Sequence, residues 1–135
     1  MLDAFADVST LLSNYALGYD TQNASAVADC FHDEATFDLL LPDGQTMTFT
    51  GRPAIEAFMQ EQLSGQQDLR RHFTTNIRVI ERGEGVIRIG CYLLLGAIDS
   101  QGLRIVQSGR YEDTIEWADG KAIFRSRHLT MDGTF

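Results

Sequence analysis

The stretch that decides the fold is Leu11-Leu12-Ser13-Asn14-Tyr15-Ala16-Leu17-Gly18-Tyr19-Asp20. Leu12, Tyr15 and Tyr19 recur at steps of three and four residues, which predicts an amphipathic helix with one buried face. Asp20 lies at the margin of that face. Because an unpaired buried carboxylate is costly, Asp20 must be solvated, paired or used in chemistry. Two phenols and a carboxylate at the end of an apolar stripe therefore indicate a pocket.

Three helices are predicted in the first half of the chain. The first runs from about Ala6 to Thr21, and the second from about Ala26 to Phe31 with Asn23 as a plausible N-cap. The third opens at Gly51-Arg52-Pro53, where proline is tolerated in the first helical turn, and stops near Ser64-Gly65.

The rest of the chain shows sequence patterns typical of β-strands. Ala35–Leu41 and Thr46–Thr50 predict a hairpin, and from Arg71 onward four long strand-like runs follow one another. Glycines inside these runs predict bends or bulges, so the sheet should curl. We expect one α+β domain over residues 1–135: a cone-shaped, curved, mixed but mostly antiparallel sheet with three N-terminal helices enclosing a pocket. The three turns are Gly83-Glu84-Gly85, Ser100-Gln101-Gly102 and Ala118-Asp119-Gly120, and the bending glycines are Gly90, Gly96 and Gly109.

Composition excludes several classes of partner. The chain has 11 basic and 19 acidic residues, a net charge of -8, and so offers no basic face for nucleic acid. Its longest apolar run, Cys91–Ile98, is too short to cross a membrane, and no basic leader precedes an apolar segment. We expect a soluble cytoplasmic protein in which Cys30 and Cys91 are reduced core thiols.

Several segments carry a resemblance that spans nearly the whole chain. They are Tyr15–Asp20, Phe31–Phe37, Gly51–Ile55 and Gly109–Asp113, the last followed by Asp119-Gly120. In order and content they resemble SnoaL-like proteins of the nuclear transport factor 2-like superfamily. This resemblance implies the cone fold and a homodimer through the outer face of the long strands. It is weak for function, since the superfamily includes dehydratases, isomerases, cyclases and non-enzymatic binding domains.

The dehydratase branch of this superfamily suggests three catalytic positions. A helix tyrosine, a nearby helix aspartate and a strand histidine line its pocket, and the matching residues here are Tyr15, Asp20 and His72. The steroid-isomerase branch fits less well. Tyr15 and Asp113 resemble its oxyanion-binding pair, but Leu39 stands where its aspartate base would be, and Asp38 is one residue away on the opposite face of a strand.

These residues suggest acid–base chemistry without a cofactor. A carboxylate on one imidazole nitrogen makes the other nitrogen the better base, and a phenol can donate to the enolate that forms. We therefore expect a lyase or isomerase acting on a small apolar or aromatic carbonyl compound, polyketide-like or steroid-like, with no metal site. The alternative is a non-catalytic ligand-binding or subunit-association module. Further candidate substrate-binding residues are Tyr19, Tyr92, Tyr111, Asp113 and His128.

Strand alternation argues against a pocket position for His72. Phe73, Ile77 and Val79 share one face by simple alternation, which would place His72 on the solvent side. A bulge in this strand would reverse that assignment. Asp113 is also open to two interpretations, a protonated donor in the cavity or the ion-pair partner of a neighbouring arginine, and we favour the ion pair.

Overall fold

A computed structural model describes residues 3–134 of the chain. A long helix and a short one precede a two-stranded hairpin, a third helix follows, and four long strands complete the chain. Their bounds are α1 Ala4–Asp20, α2 Ala24–Ala28, β1 Phe31–Leu40, β2 Thr46–Thr50, α3 Arg52–Ser64, β3 Leu69–Gly83, β4 Val86–Asp99, β5 Gly102–Ala118 and β6 Lys121–Thr134.

All six strands form one curved sheet in the order β2-β1-β6-β5-β4-β3. Strands β3 to β6 form an antiparallel meander, and β1 joins it by pairing in parallel with β6. The predicted α+β class with a mixed, mostly antiparallel sheet is confirmed. No helix in the described part of the chain is long and apolar enough to cross a bilayer.

The helices cover the concave side of the sheet. Helix α1 buries Leu12 and Tyr15 in the main core, as its periodicity predicts. It passes close to α2, because a Cβ on Gly18 would lie only 3.1 Å from Val27. Asn23 caps α2 by accepting a hydrogen bond from the Ala26 backbone N–H at 3.0 Å, as the sequence suggests.

The main differences from the predicted bounds occur around α2. This helix ends at Ala28 rather than at Phe31, and Phe31 instead begins β1 with its side chain fully buried. Arg52 ties α3 to this start of β1 by donating to the Phe31 carbonyl from two guanidinium nitrogens, at 3.1 and 2.8 Å. Tertiary packing of an aromatic ring therefore outweighs the local helical pattern.

The expectation from simple alternation for β3 is wrong. The Phe73 side chain lies on the outer face and is 43% exposed, whereas the His72 side chain is 5% exposed on the inner face. A register shift between Thr75 and Arg78, with Asn76 at φ 58°, separates the two halves of the strand. Because one residue is added there, His72 and Ile77 both face inward although their spacing is odd.

All three strand glycines flank a register shift, as the sequence predicts, and Gly90 pairs with Arg78 beside the bulge in β3. Register shifts occur at Leu95/Gly96 and at Ser108/Gly109. At Gly109 the missing side chain accommodates β6 rather than a ligand, because a Cβ there would lie 2.7 Å from the Thr130 carbonyl oxygen and 2.9 Å from Leu129.

The close approach at Gly109 gives a stability prediction. We expect Gly109→Ala to lower the free energy of unfolding by about 1–3 kcal/mol, since the added methyl group meets backbone that must shift. Urea denaturation followed by circular dichroism measures the change. Gly133→Ala, on β6 with open space around its Cβ position, is the matched control. Equal stability of the two variants would contradict the packing described here.

Candidate active site

The end of α1 presents three polar side chains to the interior. Tyr15 is buried, Tyr19 is half-buried, and Asp20 is the last residue of the helix. A carboxylate at a helix C-terminus is disfavoured by the helix dipole, so Asp20 requires compensating contacts. Strand β3 supplies them.

Asp20 holds His72 through two hydrogen bonds. Its Oδ1 lies 2.6 Å from the imidazole Nδ1, and its Oδ2 accepts from the His72 backbone N–H at 3.0 Å. Both side chains are almost fully shielded from solvent, at 10% and 5% exposure. This contact assigns the ring proton to Nδ1 and leaves Nε2 as the nitrogen able to accept a proton.

A cavity of about 180 Å³ lies beside this pair. The Tyr19 ring packs edge-on against the His72 imidazole with 4.5 Å between centroids, and the Tyr15 ring lies 6.2 Å from it. The polar side chains that line the cavity are Tyr15, Tyr19, Gln62, His72, Gln107 and Tyr111, and the apolar ones are Phe37, Leu39, Leu41, Met47, Phe58, Met59, Leu93, Leu95, Leu129 and Met131.

Behind the two most deeply buried phenols lies a buried ion pair. Arg127 on β6 and Asp113 on β5 are each 1% exposed, and the Arg127 Nε approaches the Asp113 Oδ1 to 3.2 Å. The guanidinium carbon lies 3.5 Å from the Tyr111 ring centroid and 4.2 Å from that of Tyr15. A desolvated cation over an aromatic face is attracted by the electrons of the ring. Arg127 is thus the neighbouring arginine that Asp113 was expected to have.

Both phenols remain protonated at neutral pH. Burial raises the pKa of Tyr111 to about 12 and raises the pKa of Tyr15 well above its ordinary value, and in each case the Arg127 charge opposes the shift. A phenol that keeps its proton can donate a hydrogen bond to a ligand oxygen. Burial likewise raises the pKa of Cys30 to about 11 and that of Cys91 to about 12, which makes both thiols poor nucleophiles.

The structure brings together only some of the residues singled out from the sequence. Tyr15, Tyr19, His72 and Tyr111 line the cavity, and Asp20 contacts it through His72. Asp113 lies behind the cavity wall, paired with Arg127.

Tyr92 and His128 do not line this cavity. They lie on the outer face of the sheet, because their strand positions alternate with the inward Cys91 and Leu129. Asp38 is also on the outer face, where its Oδ1 accepts from the Thr48 hydroxyl at 2.7 Å. The inward residue at this level is Leu39, so the steroid-isomerase type of aspartate base has no counterpart here.

Three residues of the site were missed in the sequence analysis: Arg127, Gln62 and Gln107. With unbroken pairing from the turn between β5 and β6, Asp113 would lie opposite Ser126. A register shift between Thr114 and Ile115 places it opposite Arg127 instead. A bulge of this kind leaves no clear mark in the sequence. Among residues 3–134, no group of three His, Cys, Asp or Glu side chains is placed to hold a metal ion.

The chain belongs to the SnoaL-like domain family, since the family profile matches residues 1–128. This family includes polyketide cyclases and dehydratases and also ring-hydroxylating dioxygenase subunits. A search of curated protein sequences gives no significant match.

Solved structures share the fold. A variant of Rv3472, a protein of unknown function from Mycobacterium tuberculosis, is 25% identical with a TM-score of 0.81, over 95% of this chain and 71% of that one. ActVI-ORFA from Streptomyces coelicolor is 23% identical with a TM-score of 0.81, over 95% and 97%. A putative aromatic ring hydroxylase from Novosphingobium aromaticivorans is 21% identical with a TM-score of 0.79, over 93% and 87%.

The buried Asp113 gives a prediction for pH dependence. Burial raises its pKa from 3.8 to about 7, against the opposing charge of Arg127. A folded-state pKa above the unfolded value contributes stability that is full below pH ~4 and is lost as pH rises through about 7, at about 1.4 kcal/mol for each pH unit between the two pKa values. We expect the free energy of unfolding of the wild type, minus that of Asp113→Asn, to fall over this interval.

Urea denaturation of both proteins at closely spaced pH values measures this difference, and other titrating groups cancel in the subtraction. A difference that stays level or grows with pH would contradict the environment assigned to Asp113.

Proposed function

We propose that this protein is a cofactor-independent lyase or isomerase acting on a small, largely apolar carbonyl compound. The observation that supports this most is the two-point contact between Asp20 and His72 beside a cavity that Tyr15 also lines. An oriented base and a neutral donor facing one cavity are the groups that proton abstraction next to a carbonyl requires.

In this mechanism His72 removes a C–H proton adjacent to the carbonyl through Nε2. The electron pair of that bond moves to the carbonyl oxygen, and the Tyr15 O–H stabilises the resulting enolate. Collapse of the enolate expels a β-hydroxyl, which takes the proton from Nε2 and leaves as water. Where no leaving group is present, return of the proton to another carbon gives isomerisation instead. Asp20 holds the ring and stabilises its charged form throughout.

The cavity limits the size of the substrate. Its volume of about 180 Å³ is below the ~300–1,000 Å³ of sites for drug-sized ligands. This favours a compound of one or two rings over a steroid. The aromatic and aliphatic walls fit the ring system, and the glutamines Gln62 and Gln107 offer amide groups to a second polar substituent.

Turnover of a panel of one- and two-ring β-hydroxy ketones tests this proposal. We expect His72→Ala to lower kcat about 10²- to 10⁴-fold, because it removes the general base. Tyr15→Phe should lower kcat about 10²-fold, because it removes the donor to the enolate. Asp20→Asn should lower kcat as well, because it changes the ring tautomer and orientation.

The outer face provides matched controls, His128→Ala for the histidine and Asp38→Asn for the aspartate, and both should retain wild-type kcat. Turnover that survives His72→Ala would remove the proposed base. Ligand binding without any turnover in the wild type would favour the alternative, a non-catalytic binding or association module.

We also propose a homodimer formed through the outer face of the sheet, as the resemblance implies, and a cytoplasmic location. Strands β3, β4 and β5 carry exposed apolar side chains on this face, and exposed apolar patches mark interaction surfaces. Gly96 lies within the patch, and a Cβ on it would meet both Leu103 and Phe73. The exposed apolar side chains on β3, β4 and β5 are Leu69, Phe73, Val79, Tyr92, Leu94, Leu103 and Ile105.

A charge introduced into this patch should separate the subunits. We expect Phe73→Glu to convert a dimer to a monomer in light scattering coupled to gel filtration. Phe5→Glu, at an exposed phenylalanine on α1, should leave the mass unchanged. A wild-type protein that is monomeric at tens of micromolar would refute the proposed interface.

A further inference from the structure

The Asp113–Arg127 pair is poorly explained by stability alone. Within residues 3–134, neither carboxylate oxygen of Asp113 has a hydrogen-bond partner, and neither do the Arg127 Nε and one of its terminal nitrogens. The 3.2 Å approach between them is thus an attraction of charges without hydrogen-bond geometry. Apolar residues of similar volume often replace such buried pairs with no loss of stability. A retained pair with unsatisfied groups calls for another explanation.

Aromatic rings rather than hydrogen bonds surround the guanidinium. The Arg127 Cζ lies 3.5 Å from the Tyr111 ring centroid, 4.2 Å from that of Tyr15 and 4.5 Å from that of Phe124. Tyr15 and Tyr111 pack edge to face with 6.3 Å between centroids, and both line the cavity. One buried cation therefore contacts two of the three phenols that line the cavity beside His72.

We propose that Arg127 is a positioning residue, held by Asp113, which fixes the orientation of Tyr15 and Tyr111 and strengthens both phenols as hydrogen-bond donors to a carbonyl ligand. This inference deepens the proposed function and rests on it for its kinetic consequence. Its structural part, the control of two ring orientations and of donor strength, stands without any turnover.

The physical basis is the field of a desolvated cation. A positive charge against the ring attracts electron density from the phenol, so the O–H becomes a stronger donor. Burial raises the pKa of both tyrosines, and the positive charge of Arg127 acts in the opposite direction and lowers it. Above its raised pKa of about 7, the ionised Asp113 carboxylate compensates the guanidinium charge in the core.

The test uses the double variant Asp113→Leu/Arg127→Met, which removes both charges and leaves neither partner alone. Asp99→Asn/Arg104→Gln removes an exposed pair and is the control. All proteins are labelled with 3-fluorotyrosine for ¹⁹F NMR, in which the four tyrosines give four signals, assigned by Tyr→Phe variants. The two-ring ketone 1-tetralone is the ligand probe, and its carbonyl stretch is followed by infrared spectroscopy.

We expect the double variant to fold with unfolding stability close to that of the wild type. Its Tyr15 and Tyr111 fluorine signals should shift, while those of Tyr19 and the exposed Tyr92 stay in place. The carbonyl stretch of bound 1-tetralone should move toward its value in hexane, as it does in Tyr15→Phe. With a substrate from the ketone panel, kcat should fall about ten- to a hundredfold with KM changed far less. The control should match the wild type in every readout.

A folded double variant with unchanged Tyr15 and Tyr111 signals overturns the proposal, whatever its activity. An unchanged carbonyl stretch overturns the claim of donor strengthening. If the wild type turns over no substrate, the proposed function fails, but the fluorine signals still decide the role of Arg127. If 1-tetralone does not bind, the fluorine signals of Tyr15 and Tyr111 still decide the role of Arg127.

Discussion

The contact between Asp20 and His72 is the constraint on which the site depends. It joins the last residue of α1 to the edge strand β3, and its Oδ1–Nδ1 distance of 2.6 Å holds the imidazole in one orientation. Because the carboxylate also accepts from the backbone of β3, it fixes strand and side chain together. The helix end, the histidine and the cavity wall are therefore positioned by one group.

The curved sheet makes this arrangement possible. Its concave face meets α1 at a cavity, and two of the phenols that line this cavity, Tyr15 and Tyr111, pack against the buried cation of Arg127. Burial keeps those phenols protonated, while the nearby charge opposes the effect of burial on them. An imidazole with a free Nε2 and neutral phenols thus line one cavity, and the proposed enolate chemistry rests on this arrangement.

Local patterns were sufficient to predict most of the fold. The helical period of α1, the Asn23 cap and the glycine turns are short-range signals, and the structure agrees with them. The site was harder to predict. The bulge at Asn76 changes which face His72 occupies, and the register shift at Thr114 brings Arg127 opposite Asp113. Such single-residue shifts depend on packing across strands, so alternation counted along one strand cannot reveal them.

The tautomer of His72 tests the central claim most directly. In ¹⁵N-labelled protein, long-range ¹⁵N–¹H correlation spectra distinguish the two imidazole nitrogens, with the more exposed His32 and His128 as internal references. We predict that His72 is protonated at Nδ1, with a bare Nε2, and that Asp20→Asn changes this pattern while leaving the other two rings as they were. A His72 ring protonated at Nε2, or averaged between tautomers as in water, would contradict the account.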